Sequence, residues 1–344
     1  MRKTALAALL LATAACNQAP PAGNNATAAA DAEGYDLAAQ KTKLAVIEMK
    51  PDVSFLNDEE RKVVNLLIQA SEQMSLIYRA QRDANWQQTR AAIEKDGGGL
   101  RLEMYDRYYG PWDDLAENRP FFGTARMPEG AGFYPADLTR EAFDAYLAKN
   151  PAEKASLTSP YTVVVRDGAK LKAIPYSVAY KTELTKAARL LDEAAAITTN
   201  PSLKKFLTLR AKAFLTDDYF ESELAWMDLK DTPIEVAIGP YEVYTDRLHG
   251  QKTAFESFVT LKDPQESAAL DKYKRYLRDM EANLPVEEKY KNFQRGFESP
   301  IAVAEQVRGG GDNVPGVQTI AFNLPNDERV REAKGAKKVI LSNV

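Results

Sequence analysis

The sequence predicts an α+β protein, rich in helix, with a mixed cluster of strands in its last third. Three observations carry this. Apolar residues recur at helical spacing from Val63 to Tyr78, and further helices are read at 139–147, 181–197, 202–215 and 217–229. After Pro233 the period changes, and Ile234, Val236 and Ile238 alternate as a strand does. No internal repeat interrupts the progression, so helices and strands segregate along the chain.

The elements follow in order. Folded structure is expected to begin near Tyr35. Asn57 and Glu60 form a capping-box pattern ahead of Val63, Val64, Leu67, Ala70, Met74, Ile77 and Tyr78, which lie on one helical face. Positions 98–136 read as irregular and aromatic. Thr139 caps a helix through Leu147. Tyr161–Val165 and Leu171–Ile174 flank Asp167-Gly168, a hairpin signal. Helices are expected at 181–197, 202–215 and 217–229, the second announced by Asn200-Pro201. The acids Asp217-Asp218 would begin the third, where they favour the macrodipole. A strand from Ile234 continues through Tyr241-Glu242-Val243-Tyr244, and a long amphipathic helix follows at 264–283. Strand-like runs at 300–307 and 317–324 enclose a Gly309-Gly310-Gly311 loop. Trp86, Trp112 and Trp226 read as core or cleft-wall aromatics.

With 344 residues, 45% of them apolar, the chain can bury a substantial core. Its net charge of −4, with no long basic block, argues against a nucleic-acid partner. Cys16 is the single cysteine, so an intramolecular disulfide is excluded. His249 is the single histidine, and a catalytic zinc site commonly takes three protein ligands including two His. The chain is therefore expected to bind no metal or cofactor of its own, and His249 reads as a loop residue. The triple glycine lacks the Lys-Ser/Thr of a phosphate-binding loop.

The N-terminus has the marks of export. Arg2-Lys3 precede the apolar run Ala5–Ala12, and Ala14-Ala15 lead into Cys16. Residues 1–15 are expected to be a signal peptide, with Cys16 lipidated as in bacterial lipoproteins, although Thr13 stands where that motif usually has Leu. A plain signal peptide with an incidental Cys is the other reading. Residues 17–34 are small and polar, the composition of a tether. The folded body would then be 35–344, held at the bacterial cell envelope and facing the periplasm.

Two segments carry chemistry. On an extended strand Glu242 and Tyr244 share a face, and a carboxylate beside a phenol suits a peptide amino terminus and a nearby carbonyl. Solvent-facing polar groups at a strand end would look the same. Asn323 and Asn326 bracket Pro325, which disfavours helix at Leu324, and each amide can donate and accept as a peptide backbone requires. A turn with a helix cap would also fit.

The Glu242-x-Tyr244-x-Asp246 and Asn323-x-Pro325-Asn326 runs resemble two substrate-binding segments of the dipeptidyl-peptidase III family of zinc metallopeptidases, in its shorter bacterial, lipoprotein-type form. Tyr109-Gly-Pro-Trp112-Asp, Gly132-Phe-Tyr-Pro135, Gly310-Gly-Asp312 and Gly335-x-Lys337-x-Val339 with Asn343 resemble it too, so the likeness covers roughly 50–344. It implies the fold of that family's non-catalytic lobe. It implies that Glu242, Asn323 and Asn326 hold the free amino terminus of a short peptide. Tyr244 would stabilise the oxyanion at the scissile carbonyl, and Arg331 would lie near the substrate. The family cleaves dipeptides from peptide N-termini with zinc held by an HExxH or HExxxH helix and a downstream Glu. Neither motif occurs here. The expectation is thus an N-terminal part, C-terminally incomplete, that is inactive alone, with zinc belonging to a full-length member. The alternative is a cell-envelope lipoprotein that binds peptides without cleaving them.

Overall fold

A computed structural model describes residues 35–263, 276–291, 293, 301–316 and 318–344. The expected signal peptide, Cys16, the tether and the first part of the 264–283 helix lie outside the described residues. In chain order the elements are α1 (Leu37–Lys41), α2 (Asp58–Arg82), α3 (Trp86–Lys95), α4 (Gly99–Tyr108), β1 (Trp112–Asp113), β2 (Arg119–Pro120), α5 (Arg140–Lys149), α6 (Lys154–Leu157), β3 (Thr162–Asp167) and β4 (Lys170–Pro175). There follow α7 (Tyr176–Ala179), α8 (Lys181–Ile197), α9 (Pro201–Thr216), α10 (Phe220–Met227), β5 (Ile234–Glu242) and β6 (Ala254–Lys262). The chain closes with α11 (Leu277–Ala282), β7 (Ile301–Gly311), β8 (Ala321–Leu324), α12 (Glu328–Lys334) and β9 (Lys337–Leu341).

The α+β expectation holds, and its strand cluster is a five-stranded sheet in the order β5-β6-β7-β9-β8. All its pairs are antiparallel except β7 with β9, so the sheet is mixed. A parallel pair needs a crossover, and here β8 and α12 supply it before β9 returns beside β7. Helix α2 lies across β6 and β7 and against α8, which in turn packs on α9. The core sits between them, and Val63, Leu67, Ala70 and Met74 of α2 are fully enclosed.

Local signals account for α2. Asn57 Oδ1 accepts from Glu60 N at 2.9 Å, and Glu60 Oε2 accepts from Asn57 N at 2.9 Å, which completes the capping box. Asp58, Glu59 and Glu60 occupy the first turn and Arg79 and Arg82 the last, each matched to the helix dipole. Thr139 caps α5, accepting from Ala142 N at 3.2 Å. Asn200 caps α9, with Pro201 in its first turn. The β3–β4 hairpin turns at Gly168 with φ +60°.

Four local expectations differ from the structure. Positions 98–136 are not irregular throughout, because α4 runs from Gly99 to Tyr108. Its Met104, Tyr105 and Tyr108 join Ile93 and Phe121 in a small second core that local pattern does not reveal. Asp217 does not begin a helix. It ends α9 in the left-handed region at φ +58°, and its carboxylate accepts from Ser177 N and Oγ at 2.9 and 2.5 Å. The triple glycine is the end of β7 rather than a loop, paired with Glu256, Ser257 and Phe258 of β6. Strand β5 stops at Glu242, short of Tyr244.

Candidate functional site

A cleft of about 690 Å³ opens where β5 ends, with α2, the β1–β2 hairpin and β8 around it. Strand β5 reaches it through a bulge, for its register with β6 shifts between Pro240 and Glu242. Bulges re-aim side chains next to functional sites, and this one leaves Glu242 partly buried at the cleft wall. The strand end is anchored by Arg210 of α9, whose Nη1 donates to Ile238 O at 2.7 Å and to the Tyr241 hydroxyl at 3.0 Å.

Past Glu242 the chain turns. Asp246 organises the turn by accepting from the backbone N–H of His249, Gln251 and Lys252, each at 2.9 Å. Tyr78 and Thr245 share a hydroxyl hydrogen bond of 2.9 Å. These bonds hold the turn against α2, so Tyr244 enters the cleft from a loop and is 80% exposed. The sequence expectation that it shares a strand face with Glu242 is corrected, while both side chains line the same cleft.

The opposite contribution comes from β8. Its burial alternates, with Phe322 and Leu324 buried and Asn323 exposed, and both Phe322 and Asn323 line the cleft. Phe322 stacks on Phe258 with ring centroids 4.3 Å apart, which fixes the register of that alternation. Leu324-Pro325 is a cis peptide, and the chain then enters α12. The cap of α12 is Asp327, which accepts from Arg329 N at 3.0 Å. Asn326 is therefore free of capping duty. Its Nδ2 donates to Tyr241 O at 3.0 Å and reaches Glu242 Oε1 at 3.5 Å. Glu242, Tyr244, Asn323 and Asn326 thus line one cleft. Arg331 stands apart, ion-paired to Glu328 on its own helix at 3.3 Å and absent from the cleft lining.

Sequence reasoning missed the floor of the cleft. Glu256 of β6 and Asp312 beyond β7 line it together with Glu242. The available signal was a lone carboxylate in the apolar run Ala254–Val259, and the acid that ends the glycine run. Burial pushes the Glu242 carboxyl above its ordinary range, with the Asn326 hydrogen bond opposing. Burial also raises Asp312 from 3.8 to about 6, against the opposing pull of Tyr78 and Arg82. Arg82 is itself bonded to Asp114, also in the lining. The cleft is acidic and suited to a cationic ligand group.

The raised Asp312 makes a pH prediction. The folded state holds this proton more tightly than the unfolded state, so the associated stability is full below pH 3.8 and is lost as pH rises through about 6. A shift of this size corresponds to about 3 kcal/mol. Urea unfolding of Asp312→Asn should show a correspondingly flatter change in stability between pH 4 and pH 7. Equal slopes for variant and wild type would refute it.

No metal centre assembles around these groups. Among the described residues no cluster of three or more His, Cys, Asp or Glu is placed to hold a metal ion. His249 pairs with Asp144 at 2.9 Å and packs edge-on against Phe143. The described residues do not fit a zinc site.

Fold and cleft together define one lobe, a mixed sheet backed by helices, with an acidic and amide-lined groove at the strand ends. The sequence profile of peptidase family M49, a family of zinc metallopeptidases, matches residues 140–344, and the chain belongs to that family. It is similar in structure to dipeptidyl-peptidase III from Caldithrix abyssi, with a TM-score of 0.85 and 50% identity over 89% of this chain and 59% of that one. The similarity to dipeptidyl-peptidase III from Corallococcus sp. strain EGB gives a TM-score of 0.83 and 39% identity, over 90% and 58% of the two chains. Nudix hydrolase 3 of Arabidopsis thaliana is 30% identical over 91% of this chain and 47% of its own length. The chain therefore spans roughly half to three fifths of the relatives it matches.

Proposed function

We propose that these residues form the substrate-binding part of a dipeptidyl-peptidase III-like hydrolase, which removes dipeptides from peptide N-termini. Glu242 receives the free amino terminus, and Asn323 and Asn326 hold the adjoining backbone. Tyr244 reaches from its loop toward the carbonyl under attack. One observation carries the reading: Asn326 ties the end of β5 to the turn after β8 and meets Glu242 inside the cleft. The chemistry agrees, since a carboxylate is the partner an ammonium group requires and a charge-assisted bond is about twice as strong as a neutral one.

A second reading is peptide binding without cleavage. It is favoured by the single His, which leaves the common zinc ligand sets out of reach of the 344 residues. Both readings share one test. Calorimetric titration with tetra-alanine is expected to show binding that weakens by about 10- to 100-fold in Glu242→Ala, the cost of one hydrogen bond to a charged group. N-acetylation of the peptide should weaken binding to wild type to the same degree. No heat at millimolar peptide would remove both readings, and indifference to acetylation would remove the role of Glu242. Neither reading expects these 344 residues to cleave by themselves, so release of dialanine in the same cell would overturn the expectation that they are inactive alone.

A further inference from the structure

Lys252, two residues before β6, carries a charge yet is completely buried. Its ammonium donates three hydrogen bonds, each 2.7 Å long, to Leu157 O, Ser159 O and Thr162 Oγ1. An ammonium has three donors and no acceptor, so the set is complete. The Thr162 hydroxyl donates its own proton to Ser156 O at 3.0 Å, which leaves its lone pairs for Lys252. A second tie lies beside the first, where Thr253 N and Oγ1 both donate to Pro160 O, at 3.1 and 2.9 Å. Residues 252–253 are thus bound to the segment that runs from the end of α6 to the start of β3.

The same turn carries Tyr244 at its other end. Asp246 N donates to Val243 O at 3.1 Å and closes a β-turn with Tyr244 and Thr245 at its centre. The Asp246 carboxylate then draws the chain back, its Oδ2 accepting from Gln251 N and Lys252 N at 2.9 Å and from the Tyr134 hydroxyl at 3.2 Å. One residue therefore joins the two systems. The Lys252 main chain holds Asp246, and its side chain holds the 157–162 segment. Tyr244 is 80% exposed, so its backbone rather than packing fixes where the phenol lies.

We propose that Lys252 is a positioning residue for the cleft: its buried side chain clamps the Tyr244 turn to the 157–162 segment and so sets where the phenol meets a bound peptide. The inference rests on the peptide-binding reading and adds a residue that touches no ligand. A double-mutant cycle read by calorimetry with tetra-alanine tests it. Burial lowers the Lys252 pKa to about 7, against the pull of Asp246, so the titrations are run at pH 6, where the ammonium is present. Tyr244→Phe is expected to bind about tenfold more weakly, the loss of one neutral hydrogen bond. Lys252→Met keeps the length, removes the donors, and is expected to bind at least about fivefold more weakly. The double variant should bind within about twofold of Tyr244→Phe alone, because residues that act through one group are not additive. A double variant that shows the product of the two losses overturns the proposal and leaves Lys252 a general structural role. Wild-type affinity in either single variant overturns it as well. Should Lys252→Met fail to fold, Thr162→Val takes its place in the cycle, since it removes one acceptor of the clamp and keeps the side-chain shape. It is expected to weaken binding about threefold with Tyr244 present and to add less than about twofold beside Tyr244→Phe. Additive losses there overturn the proposal in the same way. Wild type that fails to bind at all removes the peptide reading and this proposal with it, whereas binding by wild type and Lys252→Met alike removes the proposal alone.

Discussion

Replacing Arg210 with Ala is expected to lower the free energy of unfolding by about 3–5 kcal/mol, the usual cost of breaking a buried ion pair from one side. The guanidinium is fully buried and donates to Glu223 Oε1 at 2.6 Å. It sits near the rings of Phe206, Tyr219 and Tyr241, with centroids 5.4, 5.4 and 5.7 Å away. Its removal strands Glu223, which is 5% exposed, and frees Ile238 O and the Tyr241 hydroxyl together. Those two bonds hold the end of β5, so the loss should reach the cleft as weaker peptide binding. Replacing both members, Arg210→Met with Glu223→Leu, should recover most of the stability, because no charge is then left unpaired. Urea unfolding of the three proteins decides the point. A single variant within 1 kcal/mol of wild type would show that the pair contributes little.

Gly311→Ala is expected to cost about 2–5 kcal/mol, the sum of left-handed backbone strain and forced overpacking. Gly311 has φ +69°, and an added Cβ would lie 2.0 Å from Phe255 O and 2.8 Å from Glu256 Cα. Both neighbours are backbone of the adjoining strand and cannot swing aside. The Asp312 N–H bond to Phe255 O, 3.0 Å long, occupies the same spot and would be displaced. The damage should therefore fall on Glu256 and Asp312, the cleft floor. Gly168→Ala is the control. Its φ is +60° but its Cβ would meet nothing within 4 Å, so backbone strain alone, about 1–2 kcal/mol, is expected. Equal losses in the two variants would mean that the close approach at Gly311 is not the cause.

Much of the fold was legible because its signals are local. The capping box at Asn57, the cap at Thr139, the Asn200-Pro201 start and the Asp167-Gly168 turn each act within a few residues, and each stands where the pattern put it. The errors fall where distant residues decide. Helix α4 depends on Ile93 and Phe121 for its apolar face. Asp217 answers to Ser177, forty residues earlier. The glycine run reads as a loop by composition, but β6 pairs with it and leaves no room for side chains.

The candidate site divides along the same line. Glu242, Tyr244, Asn323 and Asn326 were marked by the resemblance of their two segments to a known family, and their meeting in one cleft follows from the pairing of β5 through β9. Tyr244 was placed on the wrong element, because strand periodicity does not show where Asp246 will draw the chain into a turn. Glu256 and Asp312 stayed hidden, because their chemistry lies in burial beside like charges.

By itself, then, the sequence determined the fold class and most helix boundaries, since propensity, caps and hydrophobic period are properties of neighbouring residues. Tertiary structure alone decided that Asn326 meets Glu242, that Arg331 turns to Glu328, and that Glu256 and Asp312 form the floor. Those facts depend on sheet register and on which groups water can no longer reach.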